Sequence, residues 1–396
     1  MLSEVPEGWR LLPLGDFATI KNGFAFKSKD FVSDEASGFD VSLVVRMSDF
    51  NGGYVDISRC KRIHKDKTEG LEKFKLNQVD ILVAMSGATV GKLGRVPATL
   101  SELYLNQRVG CLQPTQCSGE FLWQLVNTPL FQTAVLGAAT GNAQPNISSK
   151  ELEKIQLVLP PEEEQQRISE ILSSVDASIQ ATQAVIEQAE RVKRGFVRER
   201  ILGGLTPEEI FEGEAPENSE LKTIAQATEN LNKRRIPIKK SERQGGEYPY
   251  YGATGIIDYV KDYIFDERIL LISEDGANLV DKNYPIAYSV EGKTWVNNHA
   301  HVLKVESPAQ QKVLEEFFNE VPLTKFLTGM AQPKLNKAVL SSIPVPVFSE
   351  TEAAILAEAI AALDASIASN RANITQLQAV KNGLMDDLLT GRVRAV

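Results

Sequence analysis

The feature that most constrains this chain is an internal repeat, because segments of its C-terminal half reproduce segments that lie 188 residues earlier. The repeated pieces are 141–145 with 329–333, 176–179 with 364–367, Lys193 with Lys381, and Gly203 with Gly391. The first pair reads GNAQP and GMAQP, and the second reads DASI in both copies. The register is kept without a gap from residue 141 to residue 203, which indicates two copies of one structural unit. Two copies on one chain predict pseudo-two-fold symmetry, and either a two-part target or two equivalent partners.

Size and composition indicate an ordinary globular protein. The 396 residues are 43% apolar and 24% charged, which is enough for two or three domains with their own cores. Cys60, Cys111 and Cys117 are scattered and odd in number, which argues against a disulfide framework and fits a reducing cytosol. The N-terminal MLSEVPEGWR lacks a signal pattern, and the most apolar helical stretch is interrupted by Glu358 and Asp364. We therefore expect a cytoplasmic protein without a membrane partner.

Each unit is predicted to combine a strand-rich part with a long helix, which makes the fold class α+β. Apolar runs at 79–85 and 268–273 end in turns and predict one buried strand in each unit. Short helices are predicted over 120–139 and 310–327. The predicted parts are a strand-rich domain at 1–160, a helix at 161–205, an acidic linker at 206–220, a second strand-rich domain at 221–348 and a helix at 349–396.

The linker, TPEEIFEGEAPENSE, carries six Glu and no basic residue. Such a segment is expected to be solvated, with one short helical turn. Its exit at 221–224 parallels residues 14–17 of the first unit.

The two long helices carry the pattern of a coiled coil. Pro160 and Pro161 precede three Glu residues in the first helix, and Ser349 precedes the second, which are helix-start signals. Apolar residues then recur at alternating spacings of four and three, which predicts a heptad seam and an antiparallel pair of helices. The seam positions are Ile168, Leu172, Val175, Ile179, Ile186, Ala189 and Phe196 in the first helix, and Leu356, Ile360, Leu363, Ile367, Ile374, Leu377 and Leu384 in the second.

Two polar residues, Thr182 and Asn370, interrupt the seam at matching positions. A polar seam residue costs stability but fixes register and partner choice, so we interpret the pair as a register device. The alternative is that both side chains point to solvent at the edge of the apolar stripe.

The sequence carries no recognised catalytic constellation. Residues 87–92, GATVGK, differ from a phosphate-binding loop because a residue is missing between the glycines and a Leu follows the Lys. His299 and His301 are expected to alternate along one strand and face one side, but ligands at zinc spacing are lacking, so no metal site is expected. Glu274 and Asp275 lie at a strand end and are interpreted as a capped turn, with a metal or acid–base role as the alternative.

Two basic runs and two amide-rich segments suit DNA. The net charge of −9 weighs against a nonspecific coat, but local patches decide DNA binding. Residues 59–67 carry five Lys or Arg against one Asp, and residues 233–243 carry six against one Glu. One run alone would indicate a solvated loop, whereas one in each unit favours phosphate contact. Segments 106–108 (NQR) and 297–299 (NNH) supply the amide and cationic side chains that read base edges.

The DNA-contacting candidates therefore come from both units. In the first unit they are Lys27, Lys61, Arg62, Lys65, Lys92, Arg95, Asn106, Gln107, Arg108 and Gln144. In the second they are Lys233, Arg234, Arg235, Lys239, Lys240, Arg243, Asn297, Asn298, His299 and Gln332. Gln144 and Gln332 could instead cap tight turns. Tyr251, in an aromatic cluster at 248–252, is expected to pack in the core.

Motif order then points to a family. An EGW start at 7–9 leads to LGD at 14–16, and the GxAQP loop precedes an acidic helix that carries DASI and ends in a Lys-x-Gly tail. The later motifs are then repeated. Each motif is weak alone, but their order and tandem recurrence are specific. Over essentially its full length, the chain resembles the specificity (S) subunit of a type I restriction–modification system.

The resemblance implies a non-enzymatic subunit with two target-recognition domains, each of which reads one half of a split, asymmetric DNA site. The long helices would separate these domains and dock two methyltransferase (M) subunits, and restriction (R) subunits would dock on that core. S-adenosylmethionine, ATP and Mg²⁺ would belong to the partners, and this chain would hold no cofactor. Asp386-Asp387 stand where the first helix has Arg198-Glu199, which predicts unequal partner contacts at the two helix ends.

Two other classes remain open from the residues alone. A coiled-coil assembly adaptor would bind proteins through its strand-rich domains and would not depend on Arg108 or Arg235 for DNA affinity. An enzyme with an unrecognised site would show activity as an isolated chain.

Overall fold

The protein is described by a computed structural model that covers residues 5–33, 40–139, 145–329 and 332–395. The chain forms two compact units, one from Met1–Ala181 with Ile374–Val396, and one from Thr182–Asn373. The boundary between the units falls within both long helices. Each unit therefore has a strand-rich part and pieces of two helices.

The first unit is built from short strands around apolar central strands. Its strands are β1 (Arg10–Pro13), β2 (Ala18–Asn22), β3 (Phe31–Val32), β4 (Val41–Val45), β5 (Phe50–Asn51), β6 (Tyr54–Val55), β7 (Lys61–His64), β8 (Lys75–Leu76), β9 (Ile81–Ala84), β10 (Leu93–Arg95), β11 (Leu103–Leu105), β12 (Val109–Pro114) and β13 (Gln156–Leu159). Its helices are α1 (Gly119–Val126), α2 (Pro129–Ala138), α3 (Ser149–Glu153) and the start of α4 (Glu162–Phe196). A π-helical turn, Val197–Ile201, extends α4.

The second unit repeats this organisation. Its elements are α5 (Pro207–Glu212), β14 (Ser219–Thr223), α6 (Ile224–Ala227), β15 (Glu229–Asn230), β16 (Gly245–Gly252), β17 (Gly255–Val260), β18 (Phe265–Asp266), β19 (Ile269–Ser273), α7 (Asn278–Asp281), β20 (Ala287–Val290), β21 (Lys293–Val296), β22 (Ala300–Lys304), α8 (Pro308–Glu320), α9 (Lys337–Ser342), β23 (Pro344–Phe348) and α10 (Glu350–Leu388). The predicted strand in each unit is confirmed as β9 and β19. The helix predicted at 120–139 is divided between α1 and α2, each of which begins at a side-chain cap, Ser118 and Thr128.

Each unit contains one two-stranded sheet, β1-β13 in the first and β14-β23 in the second, and two larger sheets with the same central order. In the first unit the orders are β2-β12-β9-β10-β6-β5 and β3-β7-β4-β11-β8, and in the second they are β15-β22-β19-β20 and β17-β16-β21-β18. β11 pairs parallel to β4 as β21 pairs parallel to β16. The turn between β11 and β12, like the turn between β21 and β22, carries the chain from one sheet to the other. The central skeleton is therefore shared, and the edge strands differ.

The two helices run antiparallel within each unit, as predicted. In the first unit, Asp176 on α4 pairs with Lys381 on α10 at 2.7 Å. In the second unit, Lys193 on α4 pairs with Asp364 on α10 at 2.6 Å. These two contacts are copies of each other, because the residues of one pair lie 188 positions from those of the other. The Asp of the repeated DASI and the Lys of the repeated Lys-x-Gly thus contact each other across the helix pair.

The predicted seam is partly confirmed. Six of its residues are buried, namely Ile168, Leu172, Ile186, Leu356, Ile360 and Ile367. Val175, Ile179, Leu363, Ile374 and Leu377 are only half-buried. Several buried members also pack against a strand-rich part, since Ile168 and Leu172 belong to the first unit's core and Leu356 and Ile360 to that of the second. The seam is therefore joined to the domain cores.

Two details differ from the sequence predictions, whereas the register role of Asn370 stays a prediction. Asn370 donates its side-chain amide to the carbonyl of Ser366 in its own helix, at 2.9 Å. The acidic linker is not wholly solvated, because Ile210 on α5 is fully buried in the second core. Strand pairing places Leu221 against Pro346 as Leu11 lies against Val158, so residue 221 corresponds to residue 11 and not to residue 14.

The ion pair between Asp176 and Lys381 should be measurable as a coupling energy. Lys381→Met leaves a half-buried carboxylate without its cation, and we expect a loss of about 1–3 kcal/mol in the free energy of unfolding. Asp176→Asn removes the charge but keeps an acceptor for Gln124, which donates to Asp176 at 2.9 Å. A double-mutant cycle in urea should show the two losses to be non-additive. Arg191→Met, at an exposed position of α4, is the control and should change stability by less than about 0.5 kcal/mol. Additive losses would contradict the pairing.

Candidate functional site

Three segments of the first unit meet at the end of β9. The Met85 backbone N–H donates to the carbonyl of Arg108 at 3.0 Å, and the Met85 carbonyl accepts from the N–H of Ile147 at 3.0 Å. Gly87 donates to the carbonyl of Pro145 at 2.8 Å. The turn after β9, the turn at 106–108 and the end of the GNAQP loop are thereby tied together. We call this convergence, residues 85–87, 106–108 and 145–147, the first rim.

The second unit builds the same convergence. The Glu274 N–H donates to the carbonyl of His299 at 2.8 Å, and the Glu274 carbonyl accepts from the N–H of Leu335 at 2.8 Å. Gly276 donates to the carbonyl of Pro333 at 3.0 Å. Residues 274–276, 297–299 and 332–335 form the second rim. Backbone hydrogen bonds fix both rims, so side chains can differ without loss of the frame.

A close backbone approach holds the exposed turn of the first rim. Phe24 donates to the carbonyl of Leu105 at 2.8 Å, and Gln107 donates to the carbonyl of Phe24 at 2.9 Å. A Cβ atom at Gly23 would lie 2.1 Å from the carbonyl oxygen of Asn106, so only glycine fits there. Gln107 and Arg108 are left exposed on this fixed turn.

Asn297 shapes the turn of the second rim. Its side-chain oxygen accepts from the N–H of His299 at 2.7 Å, and the residue is buried. Asn298 and His299 are exposed, and the His299 Nδ1 lies 2.9 Å from a carboxylate oxygen of Asp275. The predicted reading groups 106–108 and 297–299 are thus placed equivalently, but Asn297 is the one whose side chain is enclosed.

The expectation that His299 and His301 face one side is wrong. Strand β22 begins at Ala300, so His299 belongs to the turn and does not take part in the strand alternation. The His299 side chain is 49% exposed, whereas that of His301 is 0% exposed. His301 contacts Asn232 at 2.8 Å and the carbonyl of Leu335 at 2.7 Å.

A half-buried charge cluster supports the second rim. Glu274 pairs with Arg235 at 2.6 Å and with Lys334 at 3.2 Å, and lies 3.6 Å from His301. Burial opposes ionisation of Glu274, but the bond from Arg235 and the neighbouring positive charges outweigh it and lower the pKa of the carboxyl below its usual value. Arg235 also donates to the carbonyl of Ala300 at 2.8 Å. The carboxylate interpreted as a turn cap is therefore held by cations.

Several predicted DNA-contacting residues of the second unit are engaged internally. Arg234 pairs with Glu267 at 2.5 Å, and its guanidinium lies 4.5 Å from the centre of the Phe265 ring. Arg243 pairs with Asp258 at 3.1 Å and lies over Tyr250. The exposed lysines of this run are Lys233, Lys239 and Lys240. DNA contact by any of these residues stays a prediction.

The predicted DNA-contacting residues of the first unit also divide into residues near the rim and residues engaged elsewhere in the fold. Lys61 lies opposite Val44, whose neighbour Val45 accepts from the N–H of Asn106, so the basic strand β7 begins near the first rim. Lys27, which is exposed, follows the Phe24 segment that holds the turn, whereas Arg62 lies on β7 and Lys65 follows its last residue. Lys92 donates to the carbonyl of Phe50 at 2.6 Å, and Arg95 pairs with Glu120 beside Trp123. The last two residues therefore support the fold.

The GxAQP loops end at the rims. Gln144 lies outside the described residues, whereas Gln332 is exposed. Gly329 has a φ of 83°, and a Cβ there would lie 2.7 Å from the carbonyl oxygen of Gln332, so this loop requires glycine. Sequence reasoning missed Met85 and named Glu274 only as part of a capped turn, because backbone hydrogen bonds place these two residues at the centres of the rims.

The described ranges contain no group of three or more His, Cys, Asp or Glu side chains placed to hold a metal ion. In the same ranges, no helix is both long and apolar enough to cross a membrane.

Comparison with known proteins adds a family. A model of the type I restriction modification DNA specificity domain matches residues 6–191 and again 215–379. A candidate type I restriction enzyme specificity subunit of Haemophilus influenzae is 36% identical over 159 residues, which cover 39% of this chain and 40% of that protein. The specificity subunit of the type I restriction enzyme MjaVIII of Methanocaldococcus jannaschii is 24% identical to this chain, and the alignment covers 98% of this chain and 94% of that protein.

The fold has a counterpart among solved structures. The S subunit of a type I restriction–modification system from M. genitalium aligns with a TM-score of 0.59 and 15% identity, over 98% of this chain and 97% of its own. The α+β fold class with two tandem strand-rich domains and long helices is thereby confirmed.

The buried His301 should make the second unit sensitive to mild acid. Burial lowers the pKa of this imidazole below its usual value, so the folded state favours the neutral form. Below about pH 6.5, residue 301 binds a proton more readily in the unfolded chain than in the folded chain. The free energy of unfolding should therefore fall as pH falls, by at most about 1.4 kcal/mol per pH unit. Urea unfolding between pH 7.5 and 5.5 measures this slope.

His301→Gln should flatten that slope, whatever it does to stability at pH 7.5. His64→Gln, at an exposed position of the first unit, is the matched control and should leave the slope unchanged. A slope that persists in the His301 variant would contradict the assignment.

Proposed function

Because this chain belongs to the family of type I restriction–modification DNA specificity domains, we propose that its two rims read the two halves of one bipartite DNA site. The observation that carries this proposal is that the rims share a backbone frame and differ in side chains. Glu274 makes the same backbone hydrogen bonds in the second rim as Met85 makes in the first. The exposed residues of the turn differ, because Gln107-Arg108 in the first rim is replaced by Asn298-His299 in the second. Equal frames with unequal faces suit an asymmetric site.

The exposed side chains match base edges in the major groove. Arg pairs with guanine, and Gln or Asn pairs with adenine, each through two hydrogen bonds. Rigidity adds to selectivity, since the backbone bonds of each rim fix the turn before DNA arrives. Asn297, Arg235 and Glu274 are proposed to position the second turn and not to touch bases.

Lysines beside the rims, some half-buried and some exposed, are proposed to contact phosphates. Lys61 and Lys65 lie on or after β7, and Lys233, Lys239 and Lys240 lie in the run that Arg235 ties to the second rim. Such contacts orient a protein on DNA without reading sequence. They also release counterions, which makes affinity depend on salt.

The helices are proposed to dock methyltransferase subunits, and restriction subunits are proposed to join through them. Exposed apolar residues on the helices support this proposal, namely Ile171, Val185, Val192, Ile355 and Val380. S-adenosylmethionine, ATP and Mg²⁺ would then act on the partners, and the chain itself would be non-catalytic. The family match favours this proposal over an assembly adaptor.

Replacement of Arg108 should relax one half of the recognised motif and leave the other half intact. Loss of a bidentate base contact should reduce discrimination at one base pair by about 1–3 kcal/mol, or roughly 5- to 150-fold. Methylome sequencing of cells that express Arg108→Ala with its methyltransferase partners reports both halves at once.

His299→Ala should have the reciprocal effect on the other half. Arg10→Ala, at an exposed position of β1, is the control for loss of an arginine and should preserve the whole motif. If Arg108→Ala degraded both halves equally, the assignment of one half to one rim would be wrong.

The exposed lysines should affect salt dependence and not sequence preference. Lys239→Ala combined with Lys240→Ala should reduce the slope of log affinity against log salt by about two, because each phosphate contact contributes about one. Binding of the assembled complex to cognate and mismatched duplexes, from 50 to 300 mM salt, measures slope and preference together. An unchanged slope would exclude phosphate contact by this pair.

A further inference from the structure

The two units share a contact that allows their helix ends to be compared. A Cβ at Gly203 would lie 3.1 Å from Pro216, and a Cβ at Gly391 would lie 2.4 Å from Pro6. Both glycines have left-handed backbone conformations, with φ of 64° and 71°. Gly391 is the repeat partner of Gly203, so the surroundings of these glycines can be compared directly.

In the second unit, a short helix fills the groove beside this contact. Helix α5 begins at the capping residue Thr206 and packs against β23. Its Ile210 is fully buried. The ring of Phe211 meets Phe317 and Phe326 edge to face, at 6.4 and 4.9 Å between ring centres.

In the first unit, the equivalent groove is open as far as the described residues show. It has a volume of about 700 Å³ and is lined by Leu11, Leu125, Leu130, Leu157, Met385 and Leu389, among others. Met385 and Leu389 are the repeat partners of Val197 and Ile201, which are buried in the core that contains Ile210.

The two grooves differ in how far their apolar side chains are exposed. Leu11 is 53% exposed and Leu130 is 44% exposed. Leu221, which matches Leu11 in strand register, instead packs against the core that contains α5. An apolar side chain is thus partly buried in one unit and exposed in its copy.

The described tail after Gly391 does not enter the open groove. Arg394 pairs with Glu164 at 2.8 Å, and the N–H of Ala395 donates to the same carboxylate. Trp9 also donates to Glu164, at 2.9 Å. These contacts hold residues 394–395 at the start of α4.

We propose that the open groove of the first unit binds a short amphipathic helix of a partner protein. The occupant should carry adjacent aliphatic and aromatic residues, as α5 does with Ile210 and Phe211, because the copied groove is filled in that way. It should also carry Lys or Arg. Asp386 and Asp387 with Arg392 leave one net negative charge beside the groove, where the second unit has Arg198 in place of Asp386.

The chain supplies its own probe. A fluorescein-labelled peptide of residues 204–214, GLTPEEIFEGE, reproduces α5 with its cap. A second peptide carries Glu208→Lys and Glu212→Lys and keeps Glu209, which forms the capping box with Thr206. Fluorescence anisotropy with the full chain should show saturable 1:1 binding. The lysine peptide should bind at least about 5-fold more tightly than the acidic one.

Matched variants locate the binding. Leu11→Glu and Leu130→Glu in the chain, and Phe211→Ala in the peptide, should each weaken binding at least about 10-fold. Leu136→Glu is the control, because Leu136 lies on the same helix as Leu130 and is 54% exposed but does not line the groove. Equal loss with the control would overturn the proposal.

Photo-crosslinking excludes displacement of the chain's own α5. With a photoreactive residue at the Phe211 position of the peptide, crosslinks should form on residues 156–158 or on Met385. Crosslinks confined to 344–348 would mean exchange with α5, and absence of saturable binding by either peptide would mean that no such helix fits.

Dimerisation that Leu11→Glu abolishes would assign the groove to a second copy of this chain. Each of these three results overturns the proposal. None bears on DNA reading, which the methylated motif of the same variants reports separately.

Discussion

The contact between one Asp and one Lys, formed once in each unit, ties the long helices together at a fixed register. The Lys381 side chain is 12% exposed and that of Asp176 is 21% exposed, so neither charge could be left there alone without cost. In the second unit, Asp364 accepts from both Lys193 and Lys312. Burial alone would raise the pKa of the Asp364 carboxyl, but the hydrogen bonds and positive charges of these lysines outweigh burial and lower that pKa. A one-residue slip of either helix would break both copies of the contact.

This register matters because the helices also complete the cores. Ile168 and Leu172 of α4 share a core with Met385 and Leu388 of α10 in the first unit. Leu356 of α10 shares a core with Val197 and Ile201 of the second unit. Helix register and domain packing are therefore one constraint. Residues that hold the helices in place also hold the strand-rich parts from which the rims extend.

The parts that could be predicted from sequence are those with a local period. Heptad spacing predicted the helices, and apolar runs predicted β9 and β19. The ion pairs could not be predicted, although the repeat contained their residues, because spacing does not state which Asp meets which Lys across 205 residues of chain. The rims were found only as fragments, since backbone bonds between distant turns assemble them. Asn297 looked like a reading residue but is buried, because its amide closes the turn that it belongs to.

The repeat thus separates what is copied from what is varied. Helix contacts, glycine approaches and rim backbones are copied, whereas turn side chains, edge strands and the groove beside α5 differ. The most direct test replaces residues 224–343 with residues 14–155, since Leu14 bonds to Ile155 as Ile224 bonds to Ile343, and so each pair bounds an equivalent segment. Methylome sequencing of cells that express this hybrid with its partners should reveal a motif in which both halves match the half that the first unit reads. A motif that kept the parent's two different halves would contradict the claim that each unit reads its own half.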